Sequence, residues 1–554
     1  MKKSISAKIW IASLISGLLL SLPYILSDSG LIALVALIPL FAAEKIATEN
    51  KIRHFWLCYY CAFLVWNIVA TWWIYYATPG GAIAAITLNA LQMALIFRVF
   101  RWLKKRFVTA SGTLLQFLPY LGFATLWLAW EHCYSTWQIS WPWLFLGNSF
   151  ADTTTLIQWY EFTGSLGGSL WIILCNILIF NTIVKGLDRQ KRAFPIRAFS
   201  VAMAAIFIPI AISITIYFRP LPKASESGSL AAKEVVILQP NIDPYYDKFG
   251  GINQSEQNRK LLTLADKAVT DSTALIVAPE TFFNPSIEAG VLIEDMPYNN
   301  RTLAAFSEYA KAKSCDFLFG AVTHKYYGNY KPTRTARKMR SGIWYDLFNT
   351  AVYADMQGKC SFYHKSKLVI LAESVPYIGD KSFFNSLGID LGGGIGNFGT
   401  QPYRTLFKME DGTKFGTSIC YESVFGEFYT EYIQAGANFM TIITNDGWWH
   451  NTSGHIQHLN YARIRAIETR RDIARCANTG ISAFINQKGD IVSQTPWWEE
   501  CFLKGHITPN SKITAFVKYG DIVGRTACYI IILIVLIAIF YRASGRRSAS
   551  GKSL

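Results

Sequence analysis

Lys414-Phe-Gly-Thr-Ser-Ile-Cys-Tyr-Glu-Ser423 reads as a short strand running into a sharp turn, with the Cys420 thiol at the turn. Upstream, Ala274-Leu-Ile-Val-Ala-Pro-Glu280 is a buried strand that ends on a carboxylate. Between them, Tyr363-His-Lys365 opens the segment Lys365-Ser-Lys-Leu-Val-Ile-Leu-Ala-Glu373-Ser-Val-Pro376. A carboxylate, an amine and a thiol, each at the end of an extended segment, are the parts of an acyl-transfer site. Taken singly, each has a plainer reading: a packed structural cysteine, a strand-end carboxylate that caps a helix, a surface lysine. The order and context of the three favour chemistry.

The rest of the chain is apolar. Of 554 residues, 51% are hydrophobic and only 16% charged, which suits a membrane protein. A bilayer span needs about 20 apolar residues. Candidates fall at 8–27, 30–46, 55–77, 81–100, 113–134, 165–186, 197–218 and 523–541, about eight spans in all. Lys2, Lys3 and Lys8 precede the first apolar run, as in a signal peptide, but no Ala-x-Ala-like site follows and further spans come at once. The expected organisation is a bundle of seven spans over 1–218, a linker over 219–232, a polar α/β domain over 233–520, and a last span with a basic tail over 521–554.

Basic residues orient the bundle. Lys45, Lys51 and Arg53 fill the second connection, Arg101, Lys104, Lys105 and Arg106 the fourth, and Lys185, Arg189, Lys191, Arg192 and Arg197 the sixth. Arg542, Arg546, Arg547 and Lys552 follow the last span, whereas 77–81 is uncharged and 135–164 has no Lys or Arg. The positive-inside rule then puts both termini in the cytoplasm and the polar domain outside the inner membrane. The net charge of +16 is explained by topology and anionic headgroups, so no nucleic-acid partner is expected.

Five of the ten cysteines (Cys315, Cys360, Cys420, Cys476 and Cys501) fall in the polar domain without a tight C-x-x-C pair, which supports neither a metal site nor a disulfide framework. Strand-like and helix-like segments alternate there: strands at Glu234–Gln239, Leu275–Pro279, Phe317–Val322, Asn349–Ala354 and Phe439–Thr444, and helices at Ser255–Thr270 (with a Ser cap), 301–313, Glu427–Ala435 and His455–Arg471. Such alternation predicts a layered α/β domain.

These motifs, in this order, resemble the apolipoprotein N-acyltransferases, membrane members of the carbon–nitrogen hydrolase (nitrilase) superfamily. The resemblance spans essentially the whole chain. It rests on Gln239-Pro-Asn-Ile242, Ala278-Pro-Glu280-Thr, Asn349-Thr350, Tyr363-His-Lys365-x-x-Leu-Val and Glu373-x-Val-Pro376. It rests further on Ile419-Cys-Tyr-Glu422, Thr444-Asn-Asp-x-Trp448, Arg463-x-Arg-Ala-x-Glu468 with Ala477-Asn-x-Gly480, and the membrane-side Ser140-Trp-Pro-Trp143 with Gly147. The resemblance implies an αββα sandwich beside the bundle, with Cys420 as nucleophile, Glu280 as general base and Lys365 at the oxyanion. Lys367 is the runner-up to Lys365. Glu373 would position the lysine and the base, and Tyr421 and Glu422 would support the turn, the Tyr421 N–H being a candidate oxyanion donor. Phe249, Trp448, Phe383 and Phe384 are the expected acyl-chain or lipid contacts.

Two departures stand out: the family usually reads Val-Pro-Phe-Gly-Glu where this chain has Val369-Ile-Leu-Ala-Glu373, and a Trp where Phe249 follows Lys248. The implied reaction moves an acyl chain from a membrane phospholipid, through a thioester on Cys420, to the α-amino group of a diacylglyceryl-cysteine on an apolipoprotein. The resemblance implies a monomeric, cofactor-free, multi-pass enzyme of the bacterial inner membrane with its catalytic domain on the periplasmic side. The alternatives are a membrane-tethered amidase or nitrilase-type hydrolase with the same three residues, and a transporter.

Other signals carry less. The stretch 378–400 combines glycines with Phe383 and Phe384 and reads as a mobile lid; its Gly394-x-Gly396-x-x-Gly399 lacks the strand and helix of a dinucleotide site. His450, His455 and His458 lack a carboxylate at zinc-like spacing, so polar or capping roles are expected and no metal. Arg334, Arg337, Lys338 and Arg340 read as a solvated loop.

Overall fold

The structure, a computed structural model, describes residues 2–107, 113–187, 194–220, 231–247, 251–283, 300–374 and 398–550, the side chains of 2–3, 113–114 and 542–550 excepted. The chain forms two compact units. One comprises the residues up to Trp72, Ala82–Tyr217 and those from Asp521 on; the other comprises Trp73–Gly81 and Phe218–Gly520.

The first unit is helical. Six segments are long and apolar enough to cross a membrane: Ser4–Tyr24, Gly30–Glu49, Pro79–Phe107, Tyr160–Gly186, Ile196–Tyr217 and Ile522–Tyr541. Phe55–Thr71 is a shorter apolar helix, and Thr113–Thr136 is helical as well. The sequence places the third span at 55–77, but the helix stops at Thr71, and the short helix Ile74–Ala77 belongs to the other unit. In the second span a 3₁₀ turn over Gly30–Leu34 precedes an α-helix that starts at Ile38, where Pro39 fits the first turn because its missing N–H would be unpaired anyway. Gly164, with φ of +64°, interrupts the helix Tyr160–Gly186 at the predicted start of the sixth span. Exposed Ile11, Leu18, Ile83, Phe207, Ile208 and Leu536 give this unit an apolar exterior. Several of its interior polar groups are paired, as a low-dielectric setting favours. Glu44 meets Arg101 and Lys104, Glu131 accepts from Trp127 Nε1 (3.0 Å) and the Leu146 N–H (2.8 Å), and Asn176 bridges Ala33 and Leu37.

The second unit has thirteen strands among the described residues: β1 (Lys233–Gln239), β2 (Thr273–Val277), β3 (Asp316–Gly328), β4 (Arg337–Lys338), β5 (Trp344–Ala354), β6 (Cys360–His364), β7 (Leu406–Lys408), β8 (Lys414–Ile419), β9 (Phe439–Thr444), β10 (Ile473–Ala477), β11 (Ala483–Ile485), β12 (Ile491–Gln494) and β13 (Cys501–Ile507). One sheet runs β13-β1-β2-β3-β5-β4, with β6 also paired to β5; the other runs β12-β11-β10-β9-β8-β7. Their central strands are parallel: β1 with β2, β2 with β3, β8 with β9, and β9 with β10. These strands, buried on both faces, read as continuous apolar runs such as Val-Val-Ile-Leu in β1 and Phe-Met-Thr-Ile-Ile-Thr in β9. The sheets face each other, and the Cys476 thiol of β10 bonds the Leu238 and Val277 carbonyls of the opposite sheet at 3.2 and 3.4 Å. Helices Gln254–Ala268 and Arg301–Lys313 cover one outer face, and Gly426–Gln434 and Ser453–Thr469 the other. The result is an αββα sandwich.

Several boundaries differ from the sequence reading. The first of these helices is capped by Asn253, whose side chain accepts from the Glu256 N–H at 2.8 Å, and not by Ser255, which lies inside the first turn. The strand expected at 317–322 extends to Gly328 and the one at 349–354 begins at Trp344, so they pair as a long antiparallel hairpin that carries the basic residues 334–340. β4, β6, β10 and β13 have no counterpart among the strands expected from sequence. All ten cysteines are unpaired.

Candidate active site

The three reactive side chains follow the carboxyl ends of three strands. β2 runs into Ala278-Pro279-Glu280, β6 into Lys365 and β8 into Cys420. β6 is antiparallel to β5, and β5 to β3, so β6 points the same way as β2 and β3. Glu280 and Lys365 therefore emerge at the same sheet edge, although 85 residues separate them. A crevice at the carboxyl ends of parallel strands is where open α/β sheets bind ligands.

Lys365 is almost fully buried, and its Nζ donates to Glu280 Oε1 at 3.0 Å and Glu373 Oε1 at 2.9 Å. Asn349 of β5 donates to the same two oxygens, at 2.8 and 2.9 Å. The second oxygen of Glu373 accepts the Val369 N–H at 2.7 Å, which closes the loop 365–373 onto itself. Burial disfavours the Lys365 ammonium, but Glu280, Glu373 and Cys420 outweigh it and hold its pKa well above the ordinary lysine value. The site thus contains a cation fixed between two carboxylates.

Backbone contacts hold Glu280 in place. The Gly320 N–H donates to the Pro279 carbonyl at 3.0 Å, and a Cβ at Gly320 would lie 2.4 Å from Thr281 N and 2.6 Å from Glu280 Cα. Glycine is required where β3 passes so close to the turn that carries the carboxylate.

Cys420 has φ of +51°, uncommon for a residue with a Cβ and a recurrent feature of functional turns. It begins a 3₁₀ turn, Cys420–Val424, that leads into the helix Gly426–Gln434. Burial, with Glu280 nearby, pushes its thiol pKa up, while Lys365 pulls the other way. The resting sulfur is therefore a thiol that needs a base.

Glu422 is fully buried and ties the two loops together. One carboxylate oxygen accepts from Tyr363 OH (2.9 Å), the Ser366 N–H (2.6 Å) and the Lys367 N–H (3.3 Å); the other accepts the Ile419 N–H at 2.8 Å. The loop after β6 and the turn after β8 thus share one carboxylate. Tyr421 is buried edge-on against Phe425, with centroids 5.0 Å apart. Lys367, the runner-up to Lys365, is not a solvated surface lysine either. It lies half-buried over the rings of Phe425 (5.1 Å) and Phe428 (5.8 Å), where burial and Arg404 lower its pKa, and its amine makes none of the contacts of Lys365.

Trp448 is partly buried; its carbonyl accepts Tyr245 OH at 2.8 Å and its ring meets Tyr245 edge-on at 5.4 Å. His450 stacks on Tyr245, His455 stacks on Trp497, and His458 is buried beside Cys420. Phe249, Phe383 and Phe384, and the lid reading for 378–397, lie outside the described residues. The sequence motifs include Asn349 and Tyr363 without giving either a role and do not include Arg404, whose guanidinium donates to Tyr363 OH at 3.0 Å. The position of Asn349 opposite Val322 in the β3–β5 ladder was not legible before that pairing was known.

The family model for carbon-nitrogen hydrolases matches residues 236–513. The chain belongs to the carbon–nitrogen hydrolase family. A second model, the apolipoprotein N-acyltransferase N-terminal domain, matches residues 16–178. Within the family the chain falls among the apolipoprotein N-acyltransferases. Relatives of that name match along most of their length: one from Chlorobaculum tepidum is 28% identical, covering 92% of this chain and 91% of the relative. Another, from Geobacter metallireducens, is 25% identical over 93% and 92%. Among solved structures, Saccharomyces cerevisiae Nit3, a nitrilase-superfamily member, is 15% identical with a TM-score of 0.36, covering 52% of this chain and 93% of its own. An amidase from Nesterenkonia sp. is 15% identical with a TM-score of 0.35, over 50% and 91%.

Proposed function

We propose that this acyltransferase moves an acyl chain from a membrane phospholipid to the α-amino group of a diacylglyceryl-cysteine at the N-terminus of an apolipoprotein, with Cys420, Glu280 and Lys365 as its catalytic residues. The observation that carries the reading is the convergence of Lys365 and Glu280 beside the strained turn of Cys420. Relatives named apolipoprotein N-acyltransferase that match over most of the chain, together with the apolar helices, support the substrate class and a bacterial membrane location.

Glu280 takes the thiol proton as Sγ attacks the ester carbonyl carbon of the phospholipid. The tetrahedral oxyanion forms near the Lys365 ammonium, with the Tyr421 N–H as a second donor. Collapse breaks the ester C–O bond, Glu280 returns the proton to the departing alkoxide, and a lysophospholipid leaves. The α-amine then attacks the thioester carbon and gives its proton to Glu280. The second tetrahedral intermediate expels the Cys420 thiolate, which regains a proton from Glu280, and the amide product departs. Both substrates are lipids, so anchoring the site in the bilayer replaces diffusion through water with confinement. The enzyme acts as a monomer in the inner membrane, with its catalytic unit on the periplasmic side. Phe249, Phe383, Phe384 and Trp448 contact the acyl chain in this reading.

The test is mass spectrometry of the purified protein mixed with phospholipid alone. An acyl adduct on the Cys420 peptide, absent from Cys420→Ser, is expected. Near-normal turnover by Cys420→Ser would overturn the assignment.

A further inference from the structure

A second network of buried charge lies against Cys420 and takes no part in the proton transfers above. His458, on the helix Ser453–Thr469, is fully buried. Its Nδ1 lies 2.9 Å from Asp446 Oδ1. The other oxygen of Asp446 pairs with the Arg475 guanidinium, and Thr444 Oγ1 donates to Oδ1 at 2.8 Å. Burial opposes the Asp446 charge, but Arg475 and His458 outweigh it and keep the carboxyl well below the usual carboxylate range. Asp446 accepts the Nδ1 proton and fixes the plane of the ring; because a carbonyl only accepts, the ring that also bonds Cys420 carries a proton on Nε2 and acts as the imidazolium. The ring is further held by Trp449, edge-on with centroids 5.6 Å apart.

The opposite edge of the ring faces the nucleophile. Nε2 lies 3.1 Å from the Cys420 carbonyl oxygen and 3.0 Å from Ser423 Oγ, and that hydroxyl donates to the same carbonyl at 2.8 Å. Cys420 occupies the left-handed backbone region at φ of +51°, where a residue with a Cβ stays only if its surroundings over-determine it. His458 and Ser423 are polar side chains that converge on its carbonyl.

We propose that His458 is a positioning residue for acyl transfer: anchored by Asp446 and Arg475, it clamps the Cys420 carbonyl together with Ser423 and so holds the thiol in register with Glu280 and Lys365. The His458 ring touches neither lipid; it acts through the backbone of the nucleophile.

Two isosteres separate this role from a purely structural one. The amide nitrogen of an asparagine falls near the place of Nδ1 and can satisfy Asp446; that of a glutamine falls near Nε2 and can reach the Cys420 carbonyl and Ser423. The full-length protein is prepared in phospholipid as His458→Gln, His458→Asn and His458→Leu. Two rates are read: single-turnover release of lysophospholipid, and alkylation of Cys420 by iodoacetamide, followed on the Cys420 peptide by mass spectrometry. Losing the clamp misplaces the nucleophile, so Asn and Leu should slow both rates by about tenfold or more while Gln stays within about threefold, with the phospholipid KM unchanged. Any result in which Gln does not exceed Asn overturns the inference, as do wild-type rates for Leu; if Leu fails to fold, the order of Gln and Asn decides. The inference rests on Cys420 as nucleophile. Failure of that reading would appear as turnover by Cys420→Ser, a result the His458 variants leave untouched.

Discussion

Lys365 and Lys367 show how much a two-residue difference in position matters. The first is clasped by two carboxylates; the second lies over two aromatic rings. Lys365→Ala is expected to lower lysophospholipid release by on the order of a hundredfold, as loss of an oxyanion stabiliser does. Lys367→Ala removes an interaction worth about 0.5–1 kcal/mol at a partly exposed site and should have a mild effect. Steady-state rates of the two purified variants check this, and the reverse ranking would move the oxyanion site to Lys367. The thiol makes a separate prediction. Burial raises the Cys420 pKa, so the resting residue is protonated near neutrality and the thiolate fraction keeps rising as pH increases. In the absence of lipid, its alkylation rate should therefore climb tenfold per pH unit from about pH 7 to about pH 9 without levelling off. A plateau below pH 8 would mean that the neighbouring Lys365 outweighs burial.

At the scale of elements, the site depends on how closely β3 passes the turn after β2. The Gly320 position has no room for a methyl group, because the atoms it would meet are backbone. Gly320→Ala should push β3 away from Glu280, cost about 1–3 kcal/mol as an overpacked position does, and cut activity in step. Thermal unfolding in detergent, measured with turnover on the same preparation, checks both effects; a variant with unchanged Tm and unchanged rate would show that the strand yields freely. Glu422 works at the same scale, since one carboxylate joins the loop that bears Lys365 to the turn that bears Cys420. Most buried, regular elements followed from sequence, but the fully buried β10, which carries Arg475 and Cys476 among its apolar residues, did not. β6 was missed because its Cys-Ser-Phe-Tyr-His pattern is half-buried at the side of the sheet and lacks a continuous apolar run. The Asn253 cap was misplaced by two residues because Asn253 and Ser255 are equally able caps, and only the backbone path chooses between them.

For the whole molecule, the alternating basic connections make a topological commitment. Residues 220–520 should face outward, and the connections 45–54, 101–107 and 185–197 the cytoplasm. Labelling of a single cysteine at Thr333→Cys, in a background without reactive native thiols, should succeed from the outer side in intact cells. Labelling from the cytoplasmic side alone would overturn the orientation and, with it, the choice of a lipoprotein acceptor. One feature of the division into units was not anticipated. Trp73–Gly81, which the sequence reading divides between two spans and the turn joining them, belongs to the catalytic unit, where Trp73 packs on Trp449 at 4.8 Å and Tyr76 on His450 at 4.6 Å.

Local chain properties were enough to read the apolar spans, the alternation of strand and helix, and the strand ends that carry Glu280 and Cys420. Hydrophobic period, turn residues and charge bias act within a few residues of themselves, so they are visible without a partner. Tertiary structure alone decided that Asn349 and Lys365 share the same two carboxylate oxygens, that Glu422 joins two loops, and that Asp446, His458 and Arg475 meet behind the nucleophile. Each of these groups lies on a different element, and what brings them together is sheet order and helix packing. Buried polar groups must find partners, but the partner lies wherever the fold happens to put a complementary atom, and no local pattern encodes that distance.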